Sequence, residues 1–517
     1  MKELVGMGLE EQESCGTRGR RALTINTTPK KKEEEDEEVE RLTEPLSPAA
    51  RLFHQPSFNC HIVSIMGMSK RIDVDTVKAG LEETLVRHPR FSSVLVSDGS
   101  GDGKERWLRT KVVIDSHIVA PNLEVDTCAA SSPDELVEQY VSSLTTTTLP
   151  LSRPLWDFHI LNLRTSEAEA VAVLRVHHSL GDGVSLISLL LACTRKTSDP
   201  TSLPSLPESR RRPTARSGGG GSRLLPAFVA SAWMVLLLVW RTLVDVLLFV
   251  ATSTFLKDTV TPLKGKDGVQ FRRKRIVHRS LSFDDIRVVK NAVGCTVNEV
   301  FVGLTSAALS RYLGRRYGEI DDTAEDKSTF PANVRLRTTV LVNIRPNSGI
   351  HELAAMMEGH GGARWGNRIG YTILRFPIVK FEDPLDYIRK GTETAKRKKN
   401  SLEAIFTYAS GALIVKLFGI KAAASLCHTM LRNTTVSFSN VAGPTEEIGF
   451  YGHPLVYIAP TVYGHPHAVT LHFQSYMNKI KLVLAVDEST VPDPNRLLDD
   501  FVESLKLTKD AIVKNSS

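Results

Sequence analysis

In this 517-residue chain the segment His177-His178-Ser179-Leu180-Gly181-Asp182-Gly183 has the residue types and spacing best suited to chemistry. It ends the β-rich run EAVAVLRVHHS (169–179) and precedes an apolar helix expected over Val184–Cys193. Side chains alternate across a strand, so adjacent histidines at its end point to opposite faces and only one easily reaches a given cleft. That argues against both ligating one metal ion. A histidine where the chain leaves a strand is well placed as a general base, because an ordinary pKa of ~6.5 lets it take and return a proton at neutral pH. Asp182, across a glycine turn, can point away from the cleft into an ion pair that holds the loop. The competing interpretation is a satisfied core histidine beside a turn Asp-Gly, and the complete HHxxxDG pattern after a strand favours the base.

The elements that must position this loop belong to a globular chain, 42% hydrophobic and 24% charged. At about 100–200 residues per domain it allows roughly two to four domains. A mean hydropathy of -0.11 excludes a polytopic membrane protein. Residues 1–44 hold 8 Lys/Arg against 12 Asp/Glu, net -4, which leaves +11 for the remainder of a chain whose total is +7. The dense charge at 30–38 marks a solvated, disordered acidic tail. The basic body suits anionic lipid, phosphorylated small molecules or nucleic acid. Aromatic-rich RNA motifs and zinc-finger spacings are absent, so no nucleic-acid partner is expected. Cys15, Cys60, Cys128, Cys193, Cys295 and Cys427 are scattered without CxxC or metal-ligand spacing, as expected of reduced, mostly buried thiols in a cytosol-facing protein. The N-terminus has no apolar run typical of a secretory signal peptide.

The first folded region is expected over 45–197, with a helix near Val74–His88 and a turn, SDGSGDG (97–103), between strands. Asp98, Ser100, Asp102 and Gly103 mimic the start of a calcium loop, but Arg109 stands where the bidentate Glu belongs, so a hairpin turn is preferred. Residues 198–223, rich in Pro, Ser, Gly and Arg, form a flexible linker. An apolar segment follows over 224–256, interrupted by Arg241 and Asp245 at i,i+4 spacing, a pair costly to bury in hydrocarbon. The second region, 257–517, holds a helix opened by Thr296-Val297-Asn298-Glu299, an acidic loop (319–326), a strand TTVLVNIRP (338–346) and an apolar helix near 402–431. Its Ala404–Val415 part reads as buried core in preference to the wall of an acyl tunnel.

HHSLGDG resembles the HHxxxDG motif of CoA-dependent acyltransferases and condensation domains. PLSPAARLF (45–53), Pro154-Leu155-Trp156, TVNEVFVG (296–303), VNIRP (342–346) and SNVAGP (439–444) follow in the order found in the plant-type wax ester synthase/diacylglycerol acyltransferase family. The resemblance spans roughly 45–510. It implies an α/β (α+β), two-lobed fold like chloramphenicol acetyltransferase, carrying an inserted apolar membrane-associated segment, with the active site between the lobes. His178 would be the general base that deprotonates a long-chain fatty alcohol, or the free hydroxyl of diacylglycerol, for attack on a long-chain acyl-CoA thioester. His177 would support it, and Asp182 would form a structural ion pair with Arg345. Gly183 would allow a tight turn and close backbone approach. Asn298 and Asn343 would assist the substrate or oxyanion region, with turn or cap chemistry the other interpretation of both. The family usually has Asn-Asp where this chain has Asn298-Glu299, which leaves any role for Glu299 open. Trp156 is expected to pack beside the active-site strand. No cofactor or metal is implied, acyl-CoA being a substrate, and without a G-x-S-x-G elbow the simpler mechanism is direct transfer in a ternary complex.

A soluble acyltransferase of secondary metabolism would be expected to carry a DFGWG segment, which is absent, and a condensation domain would need carrier modules. A non-catalytic lipid-binding scaffold is the alternative from another class. If the site needs residues on both sides of 224–256, one span would separate them, so that segment is expected to be an interfacial helix or a re-entrant hairpin. Arg210–Arg212 and Arg272–Arg275 would then face the same anionic leaflet. The expected location is the cytosolic face of the endoplasmic reticulum membrane, with the plasma membrane as the alternative.

Overall fold

The computed structural model describes residues 43–97, 105–123, 132–207, 224–320, 333–344, 349–360, 362–363 and 365–516. The tail before residue 43, the tip of the 97–103 turn, the linker beyond residue 207, most of the acidic loop and Arg345 lie outside them.

Two sheets carry the structure. The first has seven strands in the order Ile118–Val119, Trp156–Leu161, Ala170–His177, His61–Met68, His453–Tyr463, Ile448–Phe450 and Thr194–Lys196. The second has six, in the order Ile369–Pro377, Arg335–Asn343, Val436–Val441, Val469–Tyr476, Lys479–Asp487 and Lys274–Ser282. Period-two patterning explains the second sheet: Val469, Leu471 and Phe473, with Leu482, Leu484 and Val486 opposite, share a core with Phe301, Leu304 and Phe501 of flanking helices. Thr470, His472 and Gln474 alternate with them and take the other face. Ala170–His177 is a near-continuous apolar run because it is covered on both faces, feeding two separate core clusters. The strand His453–Tyr463, late in the chain, pairs with His61–Met68 and so completes the first lobe's sheet. The hairpin expected around residue 100 has its strands, Ser93–Ser97 and Glu105–Arg109, in antiparallel register.

Six helices matter for the site. Helix α1 (Pro48–Leu52) begins at Ser47, whose hydroxyl accepts from Ala50 N at 3.2 Å, with proline at the first helical position. Helix α2 is Gly183–Ala192, α3 Leu224–Thr254, α4 Val297–Ile320, α5 Pro384–Lys399 and α6 Glu403–Asn433. The helix expected over Val74–His88 stops at Glu83, because Thr84 leaves the helical region at φ -125°, ψ -81° and the chain turns into a 3-10 segment, Leu85–Arg87.

Three findings bear on the apolar segment, expected as an interfacial helix or a re-entrant hairpin. Helix α3 is one continuous helix of 31 residues, not a re-entrant hairpin. Asp245 does not rely on Arg241: its carboxylate meets Arg397 Nη2 at 2.8 Å and Lys398 Nζ at 2.9 Å, from the end of α5. The basic residues at 272–275 are engaged within the protein, Arg272 on Ser489 and Asp487, Arg273 on Glu488, Arg275 on Glu138 and Lys274 on the carbonyl of His467. They are not a free leaflet-facing cluster.

Helix α6 is also unlike the buried core expected of it. Leu413, Leu417 and Phe418 are more than half exposed, as are Trp233, Val235, Leu236 and Trp240 on α3. Both helices are long and apolar enough to cross a membrane. Hydropathy could not separate the two cases, because a core and a bilayer select the same side chains. At Gly419 α6 breaks, with φ 78° and ψ 173°, a conformation essentially reserved for glycine. The last turns of α3 and α6 converge on the strand Arg335–Asn343. There Asp258 accepts from Arg337 Nε at 2.6 Å and Thr435 Oγ1 at 2.7 Å, and Asn433 Nδ2 donates to Thr252 O at 2.8 Å.

Candidate active site

The two histidines are set by strand pairing. His177 faces His61 in antiparallel register, and His178 N donates to Cys60 O at 2.9 Å as the chain leaves the sheet. Pro154-Leu155-Trp156 supports the same point: Leu155 O accepts from His177 N at 3.0 Å, and the fully buried Trp156 ring donates its Nε1 proton to Phe91 O at 2.9 Å. Trp156 therefore packs beside the site strand as expected.

The environments of the two imidazoles differ. His177 has both ring nitrogens occupied, Nδ1 by Ser179 Oγ at 2.6 Å and Nε2 by Asn59 Oδ1 at 3.1 Å. An amide oxygen only accepts, so Nε2 carries the proton and Nδ1 accepts from the serine hydroxyl. His54 stacks on the same ring at 4.6 Å and His61 meets it edge-on at 5.1 Å. Burial, reinforced by repulsion from His61, His54 and His178, holds the His177 pKa well below 6.5. It is a neutral, fully committed group.

His178 lies flat against Phe53, ring centroids 4.1 Å apart and planes 20° from parallel. Its Nδ1 is buried without a hydrogen-bond partner, so this ring is not tied at both nitrogens as that of His177 is. Burial lowers its pKa below 6.5, offset in part by its own backbone carbonyl, the Asp182 charge and the Asn367 amide. At neutral pH it is an unprotonated imidazole.

The loop is held by a segment that sequence reasoning did not select. Asn367 Nδ2 donates to His178 O at 2.9 Å and Ser179 O at 3.2 Å. Trp365 Nε1 donates to Leu180 O at 2.6 Å, and Arg368 N donates to Asp182 Oδ2 at 3.3 Å. The other Asp182 oxygen caps α2, accepting from Ser185 N at 2.9 Å. Asp182 is thus a helix cap and loop tie; the pairing expected with Arg345 lies outside the described residues. The close approach expected at Gly183 occurs at Gly181, where a Cβ would sit 2.9 Å from the Trp365 ring, while a Cβ at Gly183 would meet open space.

Of the two asparagines, Asn343 is drawn toward the site: it pairs in register with Ile369, two residues from Asn367, and Ile344 N donates to Arg368 O at 3.2 Å. Asn298 is exposed at the start of α4 and accepts from Asn440 Nδ2 of the SNVAGP segment. Glu299 closes a capping box, accepting from Thr296 N at 2.9 Å, and pairs with Lys399 at 2.9 Å, which gives it a structural task. Phe53, at the end of PLSPAARLF, was visible as part of a motif but without a role. Trp365-Gly366-Asn367-Arg368 had no local signal beyond its polar turn composition ahead of a strand.

Beside the loop lies an apolar cavity of about 390 Å³. Its walls are Leu52 of α1 and Phe53 that caps it, Phe249 near the end of α3, Tyr371 and both halves of α6, with Asn367 among them. Among the described residues no three or more His, Cys, Asp or Glu side chains come together to hold a metal ion.

Residues 46–301 match the model of the wax ester synthase/diacylglycerol acyltransferase catalytic domain, and residues 365–509 the WS/DGAT C-terminal domain. The chain is similar to wax ester synthase/diacylglycerol acyltransferase 5 of Arabidopsis thaliana, 48% identical over 507 residues that cover 97% of this chain and 99% of that protein. It is similar too to number 6 of the same plant, 48% identical over 497 residues, 93% and 96% of the two chains. Among solved structures, the wax ester synthase/diacylglycerol acyltransferase from Marinobacter aquaeolei VT8 superposes with a TM-score of 0.55 at 17% identity, covering 91% of this chain and 100% of that one. The first condensation domain of the calcium-dependent antibiotic synthetase does so at 0.53 and 14%, covering 90% and 95%. At these identities the structural likeness is one of fold.

Proposed function

This chain belongs to the wax ester synthase/diacylglycerol acyltransferase family and is an acyltransferase, and we propose that His178 is its general base for acylation of long-chain alcohols, with diacylglycerol as a second acceptor. The observation that carries this role is the contrast within the histidine pair: His177 has both nitrogens engaged, while the His178 ring is not so tied and stacks on Phe53, which lines an apolar cavity.

Nε2 of His178 takes the hydroxyl proton as the alcohol oxygen attacks the thioester carbonyl carbon of a long-chain acyl-CoA. The tetrahedral oxyanion collapses, the C–S bond breaks, and the imidazolium returns the proton to the departing CoA thiolate. Asn367, Trp365 and Asp182 hold the loop so that the ring keeps its angle, and Asn343 borders the segment that does so. Arg345 remains the proposed partner of Asp182, and Asn298 a second supporting residue near Asn440.

The test is purified protein with radiolabelled palmitoyl-CoA and either hexadecanol or diacylglycerol, beside His178→Ala. Wax ester is the expected main product, with a loss of about 10²–10⁴-fold in the variant. Full activity in His178→Ala would overturn the mechanism. No ester from either acceptor would favour a lipid-binding scaffold.

For the membrane we propose a one-sided arrangement on a cytosol-facing membrane, the endoplasmic reticulum before the plasma membrane. The free thiols of Cys60, Cys193, Cys295 and Cys427 support a reducing compartment. Ser205 is bonded to Glu446 on the body, and α3 ends on the body at Asp258. If α3 spanned, the intervening stretch 208–223, with five arginines and four consecutive glycines, would have to return through ~30 Å of hydrocarbon with its backbone unsatisfied. Glycosylation acceptors placed near residues 205 and 260 would refute the arrangement if they reported opposite sides.

A further inference from the structure

We propose that the cavity between α1, the end of α3 and the two halves of α6 is a membrane portal, through which the alkyl chain of the lipid acceptor reaches His178 from within one bilayer leaflet. The proposal rests on the role of His178 given above and adds the route and the occupant.

The inner end of the cavity is closed by two residues that touch His178, which is not itself part of the lining. Phe53 lines the cavity and lies on the His178 ring, and Asn367 lines it and bonds the His178 carbonyl. A chain seated there would carry its hydroxyl toward the base past these two side chains. The outer walls are the two helices whose outward residues are apolar and exposed: Leu247, Leu248 and Val250 on α3, and Leu413, Leu417 and Phe418 on α6. Such a contiguous apolar surface is matched by hydrocarbon and not by water. The mouth of the cavity therefore opens where lipid is the solvent.

The lining decides which substrate enters. No charged side chain is among the lining residues. Several of its hydroxyls are bonded to backbone, Ser253 to Phe249 O at 2.9 Å, Thr254 to Val250 O at 2.9 Å and Thr407 to Tyr371 O at 2.9 Å. No cation there compensates a phosphate, and carrying the CoA nucleotide through such a mouth would desolvate several charges. A neutral alcohol or diacylglycerol carries none and is already dissolved in the leaflet. At about 390 Å³ the space lies within the ~300–1,000 Å³ of small-molecule sites. The break at Gly419 lets α6 contribute both Phe406–Val415 and Ile420–Met430 to the same wall.

Gly411 gives a direct probe, since it lines the cavity and a Cβ there meets nothing within 4 Å. The full chain in phosphatidylcholine vesicles is assayed with palmitoyl-CoA and either bilayer-dissolved hexadecanol or water-soluble 1-butanol, as wild type, Gly411→Phe and the milder Gly411→Leu. The expected result is a fall of about tenfold or more in the hexadecanol-to-butanol ratio for Gly411→Phe, smaller for Gly411→Leu, with the wild-type hexadecanol rate following its mole fraction in the bilayer. A variant that instead lowers the ratio of palmitoyl-CoA to butyryl-CoA use, with the acceptor ratio unchanged, would place the donor chain in the cavity and overturn the proposal. Unchanged ratios would also overturn it, as would a hexadecanol rate that follows bulk concentration at fixed mole fraction. If the wild type makes neither hexadecyl nor butyl palmitate, the failure belongs to the assigned reaction and not to the portal. Should Gly411→Phe fail to fold, Gly411→Leu carries the same comparison.

Discussion

Replacing Lys398 by methionine should destabilise the protein far more than the same change at Arg397, although both contact the same carboxylate. Asp245 in α3 is fully buried and receives Arg397 at 2.8 Å and Lys398 at 2.9 Å; Lys398 also meets Glu403 of α6 at 2.8 Å. The difference lies in solvent. The Arg397 side chain is 41% exposed and Lys398 only 9%, against 0% and 1% for the two carboxylates. Water and salt screen the arginine contact, so its removal should cost ~0–1 kcal/mol. Removing the lysine leaves two buried carboxylates near one another with one partly exposed cation between them, a loss of about 3–5 kcal/mol. Methionine keeps the aliphatic stem, so packing is nearly constant in both variants. Thermal unfolding in detergent at fixed lipid content reads the ranking. The triple change Asp245→Leu, Lys398→Met, Glu403→Gln removes the buried charges together and should recover most of the loss. Because this cluster ties α3 to the start of α6, Lys398→Met should also lower hexadecanol acylation more than butanol acylation. An Arg397→Met loss equal to or larger than that of Lys398→Met would refute the burial argument.

Three further outcomes are expected. The acid limb of the rate profile should fall below pH 6.5: the base works unprotonated, burial lowers its pKa, and so activity is lost only as pH drops through that lowered value. A midpoint at or above 7 would contradict this. Asp182→Ala should lose about 1–2 kcal/mol in denaturant unfolding by removing the α2 cap, with Asp182→Asn keeping much of it; equal losses would show that the cap is not the source. Gly419→Ala should cost about 1–3 kcal/mol by calorimetry, since its φ and ψ suit only glycine, and a neutral result would mean that α6 tolerates a straight form.

Much of the site was legible because it is local. HHxxxDG at a strand end identifies itself by alternation and by the turn, and the Pro154–Trp156 segment sits where an aromatic beside that strand should. The apolar 224–256 run was legible as a membrane-associated segment, but not as one continuous helix, since a hairpin fits the same composition. What escaped was set by distant partners: Trp365 and Asn367 reach the histidine loop from more than 180 positions away, and Asn59 and Phe53 complete it from the other side. The nature of α6 escaped for another reason, since its apolar pattern is equally compatible with packing against protein or lipid. Gly183 was chosen by its place in a motif, whereas the steric need falls on Gly181, and only the position of Trp365 reveals that.

A base able to draw a proton from an alcohol can draw one from water, and water in the alcohol's place would hydrolyse the thioester. If His178 is that base, the ring of Phe53, lying 4.1 Å from its ring and lining an apolar cavity, bears on this competition. A solitary water there would find too few polar partners to stay. A hydroxyl delivered on its own hydrocarbon brings the contacts that hold it. With His178 as the proposed base, the stacked aromatic would do more than seat the imidazole: it would disfavour water beside the ring until an acceptor arrives, and so favour ester synthesis over thioester hydrolysis.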